Sequence, residues 1–100
     1  MKKLMVVASL FAISAFAGEW KGAISESGCG AKHVAGSAAD IKCVTGCVKK
    51  GSAPVFVTDG KVIKIADASK VMDYLGQKVV VTGTLEGDTV TIDSVKPAAD

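Results

Sequence analysis

From residue 53 onward the chain is written in short runs of Val, Ile and Thr broken by turn residues. That rhythm restricts it to a small β-rich fold. Ala53–Thr58 reads as a strand, and Asp59-Gly60 after it is the dipeptide that supplies two left-handed residues to a two-residue hairpin turn. Lys61–Ile65 returns, with Val62 and Lys64 on one face and Ile63 and Ile65 on the other. Lys78–Leu85 and Thr89–Val95 form a second hairpin around Glu86-Gly87-Asp88. In its second strand Val90, Ile92 and Ser94 stand opposite Thr91, Asp93 and Val95. Upstream, Glu19–Ser25 is a strand with Trp20 and Ile24 on one face. Gly22 and Gly83 interrupt strands, which marks a bend or a close approach of another backbone.

Two helical segments punctuate the strands. Ser37–Lys50 has Ser37 as N-cap, Asp40 three residues on, and Ile41, Val44 and Val48 at helical spacing. Lys49, Lys50 and Gly51 suit its C-terminal end. Asp67–Leu75 is a shorter helix, capped by Asp67 or Ser69 and stopped by Gly76, with Val71, Met72 and Leu75 facing the core. The order is strand, helix, two strands, helix, two strands. Without the first helix this is the order of an oligonucleotide/oligosaccharide-binding (OB) barrel. The expected fold is therefore mainly β: a five-stranded OB-like barrel with a helical insert between strands 1 and 2.

The N-terminus carries a different pattern. Lys2 and Lys3 precede an uncharged apolar run from Leu4 to Phe16, and Ala15-Phe16-Ala17 is a small-residue cleavage site. This is the pattern of a secretory signal peptide over residues 1–17, and the run is shorter than the roughly 20 residues a membrane span needs. Cleavage leaves residues 18–100, expected as one domain over 18–96 and a polar tail over 97–100. Removing Lys2 and Lys3 from twelve basic residues leaves ten against ten acidic ones. A neutral domain offers no electrostatic case for nucleic acid or anionic lipid. Trp20, Phe56 and Tyr74 are too few for a base-stacking platform. The expected product is periplasmic or secreted, monomeric, and without a membrane span.

The side chains with chemistry are concentrated in one stretch. Cys29, His33, Cys43 and Cys47 comprise all three cysteines and the sole histidine. The spacing is Cys-Gly-x-x-His, then Cys-x-x-x-Cys. Cys29 lies in a loop between Gly28 and Gly30, and Cys43 and Cys47 share one helical face at i and i+4.

Three readings of this cluster stand. In an oxidising compartment, a disulfide from Cys29 to Cys47 or Cys43 closes a loop of roughly 14 to 18 residues, worth about 3 kcal/mol. Such a staple matters in a domain this small. A Cys43–Cys47 bond fits an intact helix poorly. Alternatively Cys29, His33, Cys43 and Cys47 form a Cys3His set, whose thiolates and imidazole suit Zn or Cu and leave no open position for hydrolysis. A redox role is the third reading, with Lys32 and His33 as the cations that stabilise a thiolate. No catalytic constellation accompanies these residues: Ser25, Ser27 and His33 lack an oxyanion motif, and Asp88 and Asp93 belong to solvated faces. The expectation is a non-enzymatic binding or structural module stapled by a disulfide, its ligand not named by the sequence.

The whole chain after the leader resembles a group of small exported bacterial proteins of unknown function. The resemblance rests on Trp20-Lys-Gly-Ala-Ile-Ser25, Ser27-Gly-Cys-Gly-Ala-Lys-His33, Cys43-Val-Thr-Gly-Cys-Val-Lys-Lys-Gly51 and Gly76-Gln-Lys-Val-Val-Val-Thr-Gly-Thr84. It is looser toward exported bacterial OB-fold stress proteins, which share the leader and the barrel pattern. The resemblance implies a fold and a compartment, and brings no activity with it.

Overall fold

The computed structural model describes residues 15–28, 30–32 and 36–98. Five strands, β1 (Ala15–Glu26), β2 (Pro54–Thr58), β3 (Lys61–Ile65), β4 (Lys78–Glu86) and β5 (Thr89–Pro97), close a barrel in the order β1-β2-β3-β5-β4. One α-helix, α1 (Ala38–Lys49), lies between β1 and β2. A short 3-10 turn (Gly30–Lys32) follows β1, and a longer 3-10 helix (Ala68–Tyr74) joins β3 to β4. This is the mainly β, closed five-stranded barrel with a helical insert between its first two strands that the strand order implies.

Most of the barrel's neighbouring strands are antiparallel. β1 pairs with β4 through nine register pairs, from Ala15↔Glu86 to Ala23↔Lys78. β3 and β5 close the barrel in parallel, through Lys64↔Thr89 and Ile65↔Val90. The β2–β3 turn has Asp59 at φ 51° and Gly60 at φ 76°, the two left-handed residues its dipeptide promises. Ile24, Phe56, Val79, Val81, Val90 and Ile92 fill the core, and Trp20 packs half-buried against them. A Cβ on Gly22 would stand 2.2 Å from the Val57 carbonyl oxygen, and one on Gly83 would stand 2.1 Å from that of Thr91. Both glycines are therefore sites of close backbone approach, as expected.

Several local expectations are corrected. β1 begins at Ala15, not Glu19, because the long β4 offers backbone partners to Ala15 through Gly18. In β5 the register slips at Thr82/Gly83: Thr82 faces Ser94 and Gly83 faces Ile92, so Asp93 is the extra residue of a β-bulge. The bulge reverses the alternation beyond it. Ser94 is exposed and Val95 packs on the core, whereas an uninterrupted strand would have grouped Ser94 with Val90 and Ile92. The segment after Asp67 is 3-10 rather than α-helical. Three residues per turn stack Ala68, Val71 and Tyr74, and Met72 is left 47% exposed rather than in the core.

α1 is bounded as its sequence implies. The Ser37 hydroxyl accepts from the Asp40 N–H at 3.1 Å. At the other end Gly51 N–H donates to Val48 O and Ser52 N–H to Cys47 O, both at 3.0 Å, with Gly51 at φ 111°. This pair of bonds is a Schellman motif. Val44 is the helix's one fully buried side chain and joins the barrel core. Gly76 lets the helix approach, since a Cβ there would stand 2.4 Å from the Ile41 Cα.

Candidate functional site

Cys43 and Cys47 lie one turn apart on α1, the first exposed and the second half-buried. Both are free thiols and are not bonded to each other. Val44 points into the core. Cys43 stands on the exposed side of the helix, and Cys47, three residues after Val44, sits at the half-buried edge of the core-facing stripe. They border an open groove of about 420 Å³ with Ala39, Lys42, Gly46 and Lys50. Gly46 has nothing within 4 Å of a Cβ position. This glycine therefore weakens the helix without serving any close contact among the described residues. Cys29 and His33 lie outside the described residues, so half of the sequence-derived cluster is located and half is not. Among the described residues no three His, Cys, Asp or Glu side chains gather as a metal site.

The structure gives two residues a role that their sequence pattern does not show. Ser25 and Glu26, at the end of β1, are the buried polar residues of the described chain, each 0% exposed. Strand alternation puts Glu26 on the inward face with Ile24, and Ser25 on the opposite face. All four residues from Ala23 to Glu26 are buried, because the segment after β1 folds back over the strand's end. Its 3-10 turn packs against β1, β2 and β3. Glu26 Oε1 accepts from the Gly28 N–H at 2.6 Å, and the Ser25 hydroxyl donates to Gly30 O at 2.6 Å. Ser27 N–H donates to Ala53 O at 2.9 Å, fixing the same segment to the start of β2. A polar group buried without such bonds would be costly, and no buried side-chain nitrogen or oxygen among the described residues lacks a partner.

The two pinned residues, Gly28 and Gly30, are the sequence neighbours of Cys29 on either side. From its Gly and Ser content the stretch from Glu26 to Gly36 reads as a loop, whereas Glu26 is the buried last residue of β1. The signal that places it is local: a carboxylate two residues before a glycine can turn back onto that glycine's N–H. Asp88 and Asp93 are exposed, as expected, and Asp88 approaches Lys64 at 4.0 Å across a largely solvated gap. Pairs of that kind contribute little.

A family model described as a protein of unknown function, DUF5818, matches residues 45–98. The match runs from the last turn of α1 through β5, and so contains Cys47 but begins after Cys29, His33 and Cys43. Comparison with curated proteins and with solved structures gives no match.

Proposed function

Since the chain belongs to the DUF5818 family of proteins of unknown function, we propose a role from its own residues: an exported, non-enzymatic binding or structural module in which a disulfide from Cys29 to Cys47 or Cys43 ties the loop after β1 to α1. The observation that carries the reading is the contrast in anchoring. The backbone on both sides of Cys29 is fixed to β1, while α1 carries two free thiols one turn apart, Cys43 exposed and Cys47 half-buried. Bond formation takes two electrons and two protons from the thiols and passes them to a disulfide-bearing oxidant of the export compartment.

Export is compatible with the barrel. Cleavage after Ala17 would remove three of the nine β1–β4 register pairs and leave six, from Gly18↔Gly83 to Ala23↔Lys78. Mass analysis of protein recovered from the periplasm or medium tests both parts. The expected species begins at Gly18 and gains about 2 Da on reduction, the two hydrogens of one disulfide. A chain retaining residue 1, or three thiols that all alkylate without reductant, overturns the corresponding part.

A second reading is favoured by the i, i+4 thiol pair itself. Two thiolates from one helical face, with Cys29 and His33, would complete a closed Cys3His set for Zn or Cu. One equivalent of metal in native mass spectra, lost in Cys47→Ser, would support it. A metal-free protein whose melting temperature ignores chelator would remove it.

A further inference from the structure

We propose that Ser25 and Glu26 act as a two-point clamp on the backbone flanking Cys29, and that this clamp sets how readily Cys29 cross-links to α1. The proposal rests on the disulfide reading and names positioning residues for it.

The argument starts from cost. Burying a carboxylate and a hydroxyl side by side in a small domain is unfavourable unless each is satisfied. A barrel needing only packing at this position would carry apolar residues there. Instead the chain places Ser25 and Glu26 on opposite faces of one strand end, and the following segment wraps around to meet both. The Gly28 N–H is held from the inward face by Glu26, and the Gly30 carbonyl from the outward face by Ser25. Gly30 takes φ 55°, which a side chain would resist, and a Cβ on Gly28 would stand 2.8 Å from Glu26 Oε1. Both glycines are thus suited to the clamp. The backbone is thus tethered at Gly28 and at Gly30, which removes chain freedom that cross-linking would otherwise have to overcome.

The test uses the full chain after leader removal, equilibrated with mixtures of reduced and oxidised glutathione. Two protein thiols give two electrons and two protons to glutathione disulfide, which leaves as two thiols, and the oxidised fraction yields an effective concentration. Ser25→Ala and Glu26→Ala should each lower it by about tenfold, the change that loss of one hydrogen bond of ordinary strength corresponds to. Val71→Ala, in the buried core and outside the clamp's hydrogen bonds, should change it by less than about twofold although it destabilises the barrel. Ser25→Ala carries the test if Glu26→Ala does not fold. An unchanged effective concentration in the clamp variants, or an equal fall in Val71→Ala, overturns the proposal.

A wild-type chain that never oxidises would sink the disulfide reading instead. In that case amide exchange on the same reduced samples decides the clamp. Gly28 should exchange about tenfold faster in Glu26→Ala and stay unchanged in Val71→Ala, and no such difference overturns it.

Discussion

Two glycines express the difference between the barrel wall and α1. At Gly83 an added methyl group would stand 2.1 Å from the Thr91 carbonyl oxygen, at the point where β5 bulges. At Gly46, between Cys43 and Cys47, an added methyl group would meet nothing within 4 Å. The wall is specified by packing and backbone approach. The helix is attached to it through Val44, Val48 and the Gly76 contact, and its outer face is exposed. Sequence choices that packing explains belong to the scaffold. Those it leaves unexplained, namely the thiols, Gly46 and the buried Ser25-Glu26 pair, are where function is to be sought.

The contrast can be broken by measurement. Gly83→Val should be the most damaging change, costing about 3 kcal/mol or more in urea unfolding, because backbone must move to admit the side chain. A mild effect would mean that the wall tolerates repacking. Next, Phe56→Ala should cost about 3–5 kcal/mol, and Val44→Ala about 2 kcal/mol. Equal costs would make α1 as integral to the core as β2. Smaller still are two helix changes of opposite sign. Ser37→Ala should destabilise by about 1 kcal/mol through loss of the cap. Gly46→Ala should stabilise by up to about 1 kcal/mol. If Gly46→Ala instead destabilises, the helix face has an intramolecular role that its open surroundings do not reveal.

The smallest effect concerns pH. The Ser69 hydroxyl and then the Ser69 N–H, at 2.6 and 3.1 Å, hold the Asp67 carboxyl below the usual aspartate value. With the folded value depressed, the contribution is present above the unfolded value and disappears as pH falls through the folded one. Melting temperatures over about pH 2 to 5 should therefore fall less steeply in Asp67→Asn than in the parent. Parallel curves would assign the acid sensitivity to other carboxylates.

Where local rules and the fold agree, the structure was readable in advance. Lys61–Ile65 has the expected bounds, Asp59-Gly60 makes the expected turn, and Ser37 and Gly51 end α1 as their residue types demand. The failures in the strands share a cause: each was decided by a partner distant in sequence. Ala15–Gly18 became strand because β4 was long enough to pair with it. Asp93 became a bulge through register with Thr82 and Gly83, which period-two counting within β5 cannot detect. Met72 turned outward because the segment winds at three residues per turn. At the candidate site, the pairing of Cys43 and Cys47 on one face was legible from helical spacing. The buried Ser25-Glu26 pair was not, since its burial comes from a segment folding back over β1.

The parallel contact between β3 and β5 has a consequence for the protein in crowded surroundings. It is a clasp of two register pairs, flanked by Lys64 N–H to Asp88 O at 2.8 Å and Ala66 N–H to Val90 O at 2.9 Å. The β1–β4 seam also joins distant strands but spreads over nine pairs. Because the clasp repays loop closure with so few bonds, it is the seam expected to zip last in folding and to fray first. With it undone, the barrel becomes a curled ribbon whose ends, β3 and β5, each present an unsatisfied edge. Such edges template pairing between chains. Resistance to self-association thus depends on a few bonds at the closure rather than on the depth of the core.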